Sequence, residues 1–421
     1  MNRPALLGGE KSFPTPFSFL TSTGPKELAA VTEVMKRGVL SEFIGASGPF
    51  FMGGEQVKHL EVAWAKYFGV AHALSVNSAT SGLHAAVVAA GVSQDDEVIV
   101  PPQTMSATAT AVVMAGGIPV FVDQDEKTGC LSTAAVAKAI TSRTKAIIVV
   151  NLFGGPADVF GMKKLADQHG IILIEDNAQA PGGRKKGQML GTIGHLGVYS
   201  LNCHKTIQCG EGGIVVTNND DLARRVALVR NHGENAVQGM GCLQDSDIVG
   251  YNYRLTELQA AIARTQLDRL EELNDIRLQI VAGLDDLFSQ FKGILFAKDK
   301  PGDRHVYYIY PLWITEKEAG ISRNLFVHAL KAEGAPIEGG YVEPLYRLPL
   351  FQNLIRSNKA KVVPSEGCPV AEKMFSTSFC YSTLVRVENG IELLGNMAAA
   401  VGKVMSHKEE LRNWQESQGL P

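Results

Sequence analysis

A single lysine, Lys205, stands in residues 198–213 (VYSLNCHKTIQCGEGG), a stretch with no other Lys or Arg. An apolar run over 196–201 predicts a short buried strand before it, and 214–217 predicts a second after it. The glycines at 210, 212 and 213 let another group come close. An amine held between buried strands is placed to condense with a carbonyl, whereas an isolated loop lysine is ordinarily just solvated. Two further stretches shift that balance. In IILIEDNAQA (171–180) an apolar strand runs straight into Glu175 and Asp176. A carboxylate there, Asp176, could hold a protonated ring nitrogen, bind a metal, or cap the next turn of the chain. Gln179, three residues on, could reach the same ligand. In NSATSG (77–82) small hydroxyl residues follow another predicted strand and open a helix. Free N–H groups and a positive dipole end there suit a phosphate, and plain N-capping by Ser78 or Thr80 is the structural alternative.

Bringing these groups together requires strands that end along one edge. Predicted strands over 73–76, 97–100, 120–122, 146–150 and 171–174 alternate with predicted helices over 80–90, 106–115, 133–140 and 161–169. With the two strands around Lys205, this rhythm argues for an α/β fold: a large domain with a mostly parallel, seven-stranded-type sheet covered by helices. Ligands bind such sheets at the carboxyl ends of the strands. Residues 1–24, rich in Gly, Pro and Phe, read as an N-terminal arm, 25–275 as the large cofactor-binding domain, and 276–421 as a smaller C-terminal α+β domain. The longest helical pattern, 255–288, joins the last two. A chain of 421 residues, 45% hydrophobic and 20% charged, has ample core for this division. Its formal net charge of -3 gives no electrostatic case for nucleic acid or an anionic membrane. No apolar run is of membrane-spanning length and residues 1–14 lack an apolar signal core, so the cytoplasm is the expected location. Six scattered cysteines without a CxxC pair read as reduced thiols, and no metal site is expected.

An amine between strands, a carboxylate after a strand and a phosphate cradle are together what pyridoxal 5'-phosphate requires. Lys205 would hold the aldehyde as an imine, Asp176 would keep the pyridine nitrogen protonated, and the helix opening at Thr80 would hold the phosphate. The chain also resembles the DegT/StrS-type sugar aminotransferases, a branch of the aspartate-aminotransferase fold (fold type I), over roughly residues 24–352. The motifs are NSATSGLH, VPPQTMSATATAV, IPVFVD, IEDNAQA, YSLNCHKTIQCGEGG, RNHG and GYNYRLTELQAAI. By that resemblance Lys205 is the catalytic lysine, Asp176 the pyridinium partner and Gln179 the neighbour of the cofactor's phenolic oxygen. Thr80, Ser81 and Ser200 would bind the phosphate, and Met105 would lie on the ring where the family usually has an aromatic residue. Asn252 would reach the phosphate in the neighbouring subunit, which implies a homodimer with shared active sites.

The resemblance implies ping-pong transfer of an amino group from glutamate or glutamine to a keto sugar, nucleotide-linked or free, or to a keto cyclitol. Residues 339–351 (GGYVEPLYRLPLF) resemble the family's substrate-facing segment, with Tyr341 and Tyr346 as candidate contacts. Arg184, Lys185, Lys186 and Arg347 either meet a nucleotide diphosphate or form a solvated face. His195 reads as a turn or interface residue. Some relatives replace the lysine by histidine and act as sugar dehydratases; alignment on GEGG puts Lys205, not His204, at the catalytic position. A dehydratase and a non-catalytic ligand-sensing relative are the alternative readings.

Overall fold

Short runs of Val and Ile, separated by helical patterns, build the sheet that carries the site. The computed structural model describes residues 2–419. Its first strands are β1 (His72–Val76), β2 (Glu97–Val100), β3 (Ile118–Val122), β4 (Thr144–Val150) and β5 (Ile172–Asp176). A small hairpin, β6 (Arg184–Lys185) and β7 (Gln188–Met189), precedes β8 (Leu196–Ser200) and β9 (Gly213–Thr217). Then come β10 (Ile294–Phe296), β11 (Tyr310–Ile314), β12 (Ile337–Gly339), β13 (Lys361–Val363) and β14 (Phe379–Ser382).

The main sheet has eight strands in the order β1-β9-β8-β5-β4-β2-β3-β13. β9 alone runs against its neighbours, β8 and β1; the other pairings are parallel. The sequence predicts seven of these, and β13 is a correction. It is too short to show a period, and it joins the sheet by pairing Lys361–Val363 with Val120–Val122. The expected division at residue 275 is corrected with it. Leu345, Tyr346, Phe351, Cys368 and Ala371 return to the core of the main sheet, and the helix Leu270–Phe288 runs through the proposed boundary. The predicted 255–288 helix is in fact two, Glu257–Leu267 and Leu270–Phe288. β10-β11-β14-β12 form a separate antiparallel sheet, whose core includes Phe288, Leu312, Phe326 and Val401. The arm is tied to this part of the molecule: Phe13 N–H donates to Glu333 O at 2.9 Å, and Phe19 bridges Val387.

Alternation along the strands decides what each face of the main sheet receives. Ala146, Ile148, Ile174 and Val198 pack into the same core as the helices Ala79–Ala89 and Ala107–Met114. Ile147, Val149 and Leu173 pack on the opposite face. With a period of two, Asp176 and Ser200 therefore belong to the first face and Glu175 to the second. Among the described residues no helix is long and apolar enough to cross a membrane.

Candidate active site

Asp176 ends β5 at 4% exposure. Its Oδ2 accepts from the Thr108 hydroxyl at 2.9 Å, and its Oδ1 from the Ala178 N–H at 3.2 Å. Burial pushes its pKa up, while the Ala178 N–H, the Thr108 hydroxyl and the charge of Lys205 work the other way. Thr108 is a site residue that the sequence analysis missed. The available signal was a hydroxyl one residue into the helix that follows β2.

Lys205 sits on a loop that closes on itself. Leu201 N–H donates to Gly212 O, Cys203 N–H to Gly210 O and Lys205 N–H to Asn202 O, each at 2.9 Å. From the helix Leu270–Phe288, buried Arg277 donates to Thr206 Oγ1 at 2.7 Å and so anchors the residue beside the lysine. The Lys205 Nζ lies 4.8 Å from the centroid of the Tyr308 ring. Lys205 is half-buried, while Cys203 and His204 are exposed. The residue whose charge reaches Asp176 is Lys205. Arg277 and Tyr308 have no local sequence signal, because long-range packing brings them here.

The candidate phosphate cradle lies where β1 turns into the helix Ala79–Ala89. Ser78 caps it: Ser81 N–H donates to Ser78 Oγ at 3.1 Å, and the Ser81 hydroxyl bonds Asn77 Oδ1 at 2.6 Å. Ser81 is thus occupied inside the cap, while Thr80 is exposed. Gly213 pairs with both Val76 and Ser200. A Cβ on Gly213 would lie 2.7 Å from Ala79 N and Ser78 C, so glycine lets β9 lie against the helix opening. That contact brings Ser200, Thr80 and the free N–H groups of the first turn to one place. Asn252 runs beside them in the same chain: its carbonyl accepts from Asn77 Nδ2 at 3.4 Å, and its exposed side chain accepts from Arg254 Nε at 2.7 Å.

Gln179 is clamped at both ends. Its Oε1 accepts from Phe153 N–H at 2.7 Å, and its Nε2 donates to the Tyr341 hydroxyl at 2.9 Å. The structure therefore brings Tyr341 to Gln179. Tyr346 lies elsewhere, which corrects the expectation of a substrate contact: it is 6% exposed, its hydroxyl bonds Glu372 and receives the Cys368 N–H, and its ring packs near Phe121. Met105 stands after β2 at 63% exposure. Gln103 from the same loop donates to Val342 O at 2.8 Å and ties the 341–345 segment to the site. Two of the basic residues Arg184, Lys185, Lys186 and Arg347 are paired, Lys185 with Asp303 at 2.8 Å and Arg347 with Glu372, while Arg184 donates to Gly187 O and Lys186 lies over the Phe160 ring. His195 is a turn residue whose Nδ1 accepts from Leu173 N–H at 2.8 Å.

An amine, a buried carboxylate and a helix opening kept bare by glycine fit a phosphorylated pyridine aldehyde, and the fit rests on chemistry as well as position. A carboxylate matches a ring N–H, an amine matches an aldehyde, and unpaired backbone N–H groups match a phosphate.

A model of the DegT/DnrJ/EryC1/StrS aminotransferase family matches residues 29–388. The aminotransferase of Psychrobacter cryohalolentis is similar at 26% identity and TM-score 0.79, covering 93% of this chain and 99% of its own. DesV of S. venezuelae, solved in complex with a ketimine intermediate, is similar at 28% identity and TM-score 0.75, covering 89% and 94%. The E. coli GDP-4-keto-6-deoxy-D-mannose-3-dehydratase with bound hydrated PLP is 21% identical at TM-score 0.77, covering 92% and 100%, and shows the shared fold alone.

Proposed function

This chain belongs to the DegT/DnrJ/EryC1/StrS aminotransferase family, whose members depend on pyridoxal phosphate, and on that premise we propose that it transfers an amino group from glutamate or glutamine to a keto sugar, nucleotide-linked or free, or to a keto cyclitol. One observation carries the reading: the half-buried amine whose charge reaches Asp176 is that of Lys205, while His204 faces solvent. That arrangement favours transamination over dehydration.

When bound, pyridoxal phosphate supplies an electron sink for a carbanion at the donor's α-carbon. Asp176, oriented by Thr108 and Ala178, would hold a proton on the ring nitrogen. Thr80, Ser200 and the first turn of the helix at Ala79 would bind the phosphate. Gln179, fixed by Phe153 and Tyr341, would be the neighbour of the phenolic oxygen. Lys205 would hold the aldehyde carbon through its Nζ and yield it to the donor's amine. The Lys205 Nζ would be the base that moves the proton of the donor's α-carbon. The acceptor ketone is aminated by the same residues in reverse, so the kinetics are ping-pong. The working unit is a cytoplasmic homodimer in which Asn252 of the partner subunit meets each phosphate.

The test is a half-reaction. Glutamate or glutamine alone should bleach the visible absorbance of the holoenzyme, and borohydride should fix the cofactor to Lys205. A panel of nucleotide-linked keto sugars, sugar phosphates and free cyclitols should then restore the colour with one class. Fixation at another lysine, or no bleaching with any amino acid, would overturn the reading.

A further inference from the structure

Two buried polar side chains on the helix Leu270–Phe288 have partners in the segments that carry the site. Asn274 donates from Nδ2 to Pro181 O at 3.1 Å, just beyond Gln179. One turn on, Arg277, 5% exposed, donates from Nη1 to Thr206 Oγ1 at 2.7 Å, just beyond Lys205. Positions so spaced share a face of a helix, so one rigid element holds both segments. The helix is itself fixed along its length. Leu270 and Leu273 pack in one core with Leu201 and Ile207 of the lysine loop, and Ile280, Val281 and Leu284 pack in the core of the smaller sheet.

Arg277 is the costly member of the pair. Among the described residues that hydrogen bond is its only one, no carboxylate pairs with it, and its Nε is buried without an acceptor. Burial pushes its pKa down to about 10, with the charge of Arg386 working the same way and Tyr308 the other. A buried guanidinium with a neutral partner stabilises a fold no better than an apolar side chain of its size. Another reason for it lies in the loop. From Cys203 to Lys205 the backbone N–H groups bond only within the loop, Cys203 to Gly210 O, His204 to Asn202 Oδ1 and Lys205 to Asn202 O. At Thr206 the guanidinium ties this stretch to a different element.

We infer that Arg277 is a positioning residue whose hydrogen bond to Thr206 aims the Lys205 amine at the cofactor's aldehyde, without itself touching cofactor or substrate. The inference rests on the reading that Lys205 holds pyridoxal phosphate and names what aims it. In that capture the amine adds to the aldehyde carbon and water leaves. Such a step needs a close, directed approach, and a misplacement of about 1 Å can cost on the order of 100-fold. Binding of the phosphate and the ring makes no such demand on the loop. Asn274 holds the Gln179 segment from the same helix, so one element sets the spacing between that segment and the amine.

The test separates binding the cofactor from capturing it. The full chain, freed of cofactor, is titrated with pyridoxamine 5'-phosphate, which has the ring and phosphate but no aldehyde. In parallel it is mixed with pyridoxal 5'-phosphate and quenched with borohydride to time fixation at Lys205. Arg277→Met should bind pyridoxamine phosphate as the wild type does and capture pyridoxal phosphate roughly tenfold more slowly or worse. Its unfolding midpoint without cofactor should hold or rise, since a buried charge has gone. Thr206→Val should slow capture likewise, and Thr206→Ser, which keeps the hydroxyl, should recover most of that loss. Arg277→Met combined with Thr206→Val should lose no more than either alone, because both remove one interaction. In turnover the loss should fall on kcat and leave the KM for the amino donor in place. Normal capture by the variants, or equal weakening of both ligands, would make the bond a structural contact and overturn the inference while the aminotransferase reading stands. A raised donor KM with normal capture would move Arg277 into substrate binding and overturn it equally. Should Arg277→Met fail to fold, Thr206→Val against Thr206→Ser decides by the same readout. If the wild type itself fixes no cofactor on Lys205, the broader reading fails first and the inference falls with it.

Discussion

Two consecutive carboxylates at the end of β5 serve opposite faces of one sheet. Glu175 accepts four hydrogen bonds, from Gly191, Ile193 and Gly194 N–H at 2.6–2.8 Å and from Asn151 Nδ2 at 3.1 Å. Asp176 accepts two, from Thr108 and Ala178, and shares its face with Ser200 and the lysine loop. Burial pushes the pKa of both up. The charge is therefore costly at both positions, and the partners make the difference. Every partner of Glu175 is an N–H that can only donate, so that side chain is a fixed anchor for the 191–194 turn. One partner of Asp176 is a hydroxyl that can turn round, and the remaining capacity of the carboxylate is left for a ligand.

Exchanging each for its amide breaks the comparison most sharply. Asp176→Asn should lose roughly 100- to 1000-fold in turnover, the scale seen when a group that stabilises developing charge is removed. Its thermal stability should hold or rise, because the amide relieves a buried charge and Thr108 can accept from it. Near-normal turnover would make Asp176 a mere cap. Glu175→Gln should do the reverse. Its NH2 must face two N–H donors whichever way it turns, at a cost of about 2–3 kcal/mol in denaturant unfolding. The folded fraction should turn over near the wild-type rate.

The pair also shows where sequence reading stops. Lys205, Asp176 and the 77–82 turn were legible because each lies at the end of an apolar run, where polarity changes abruptly. That Glu175 and Asp176 part company needed the strand's register against β4 and β8. β13 was illegible because its partner, β3, is far away along the chain and supplies the pairing that its own three residues do not announce. Arg277 and Tyr308 reach the lysine loop only through long-range packing. Tyr341 and Tyr346 share the segment that resembles the family's substrate-facing one. The chain turns between them, so one hydroxyl meets Gln179 and the other Glu372.

A smaller effect sharpens the contrast at Asp176. The Thr108 hydroxyl bond favours the charged carboxylate, so Thr108→Val should raise a pKa that burial already raises. Because the active form has Asp176 ionised, activity should then fail at a higher pH as the solution is acidified. The expected result is an acid limb of the kcat profile displaced toward neutrality, with the plateau reduced by about tenfold at most. An unmoved limb would show that another group sets it.

The smallest effect separates the two tyrosines. Tyr346→Phe removes the acceptor of the buried Cys368 N–H, donated at 3.3 Å, and one partner of Glu372, which keeps Arg347. A single unsatisfied buried N–H costs about 1 kcal/mol, with the ring and its packing beside Phe121 unchanged. Unfolding by urea should therefore shift by that amount, and both donor and acceptor kinetics should match the wild type. Tyr341→Phe frees the Gln179 amide instead, so its defect should appear in turnover and leave the unfolding midpoint nearly in place. Were Tyr346→Phe to raise the acceptor KM, its hydroxyl would have to leave Glu372 during turnover, and the 341–347 segment would be a moving part rather than a fixed wall.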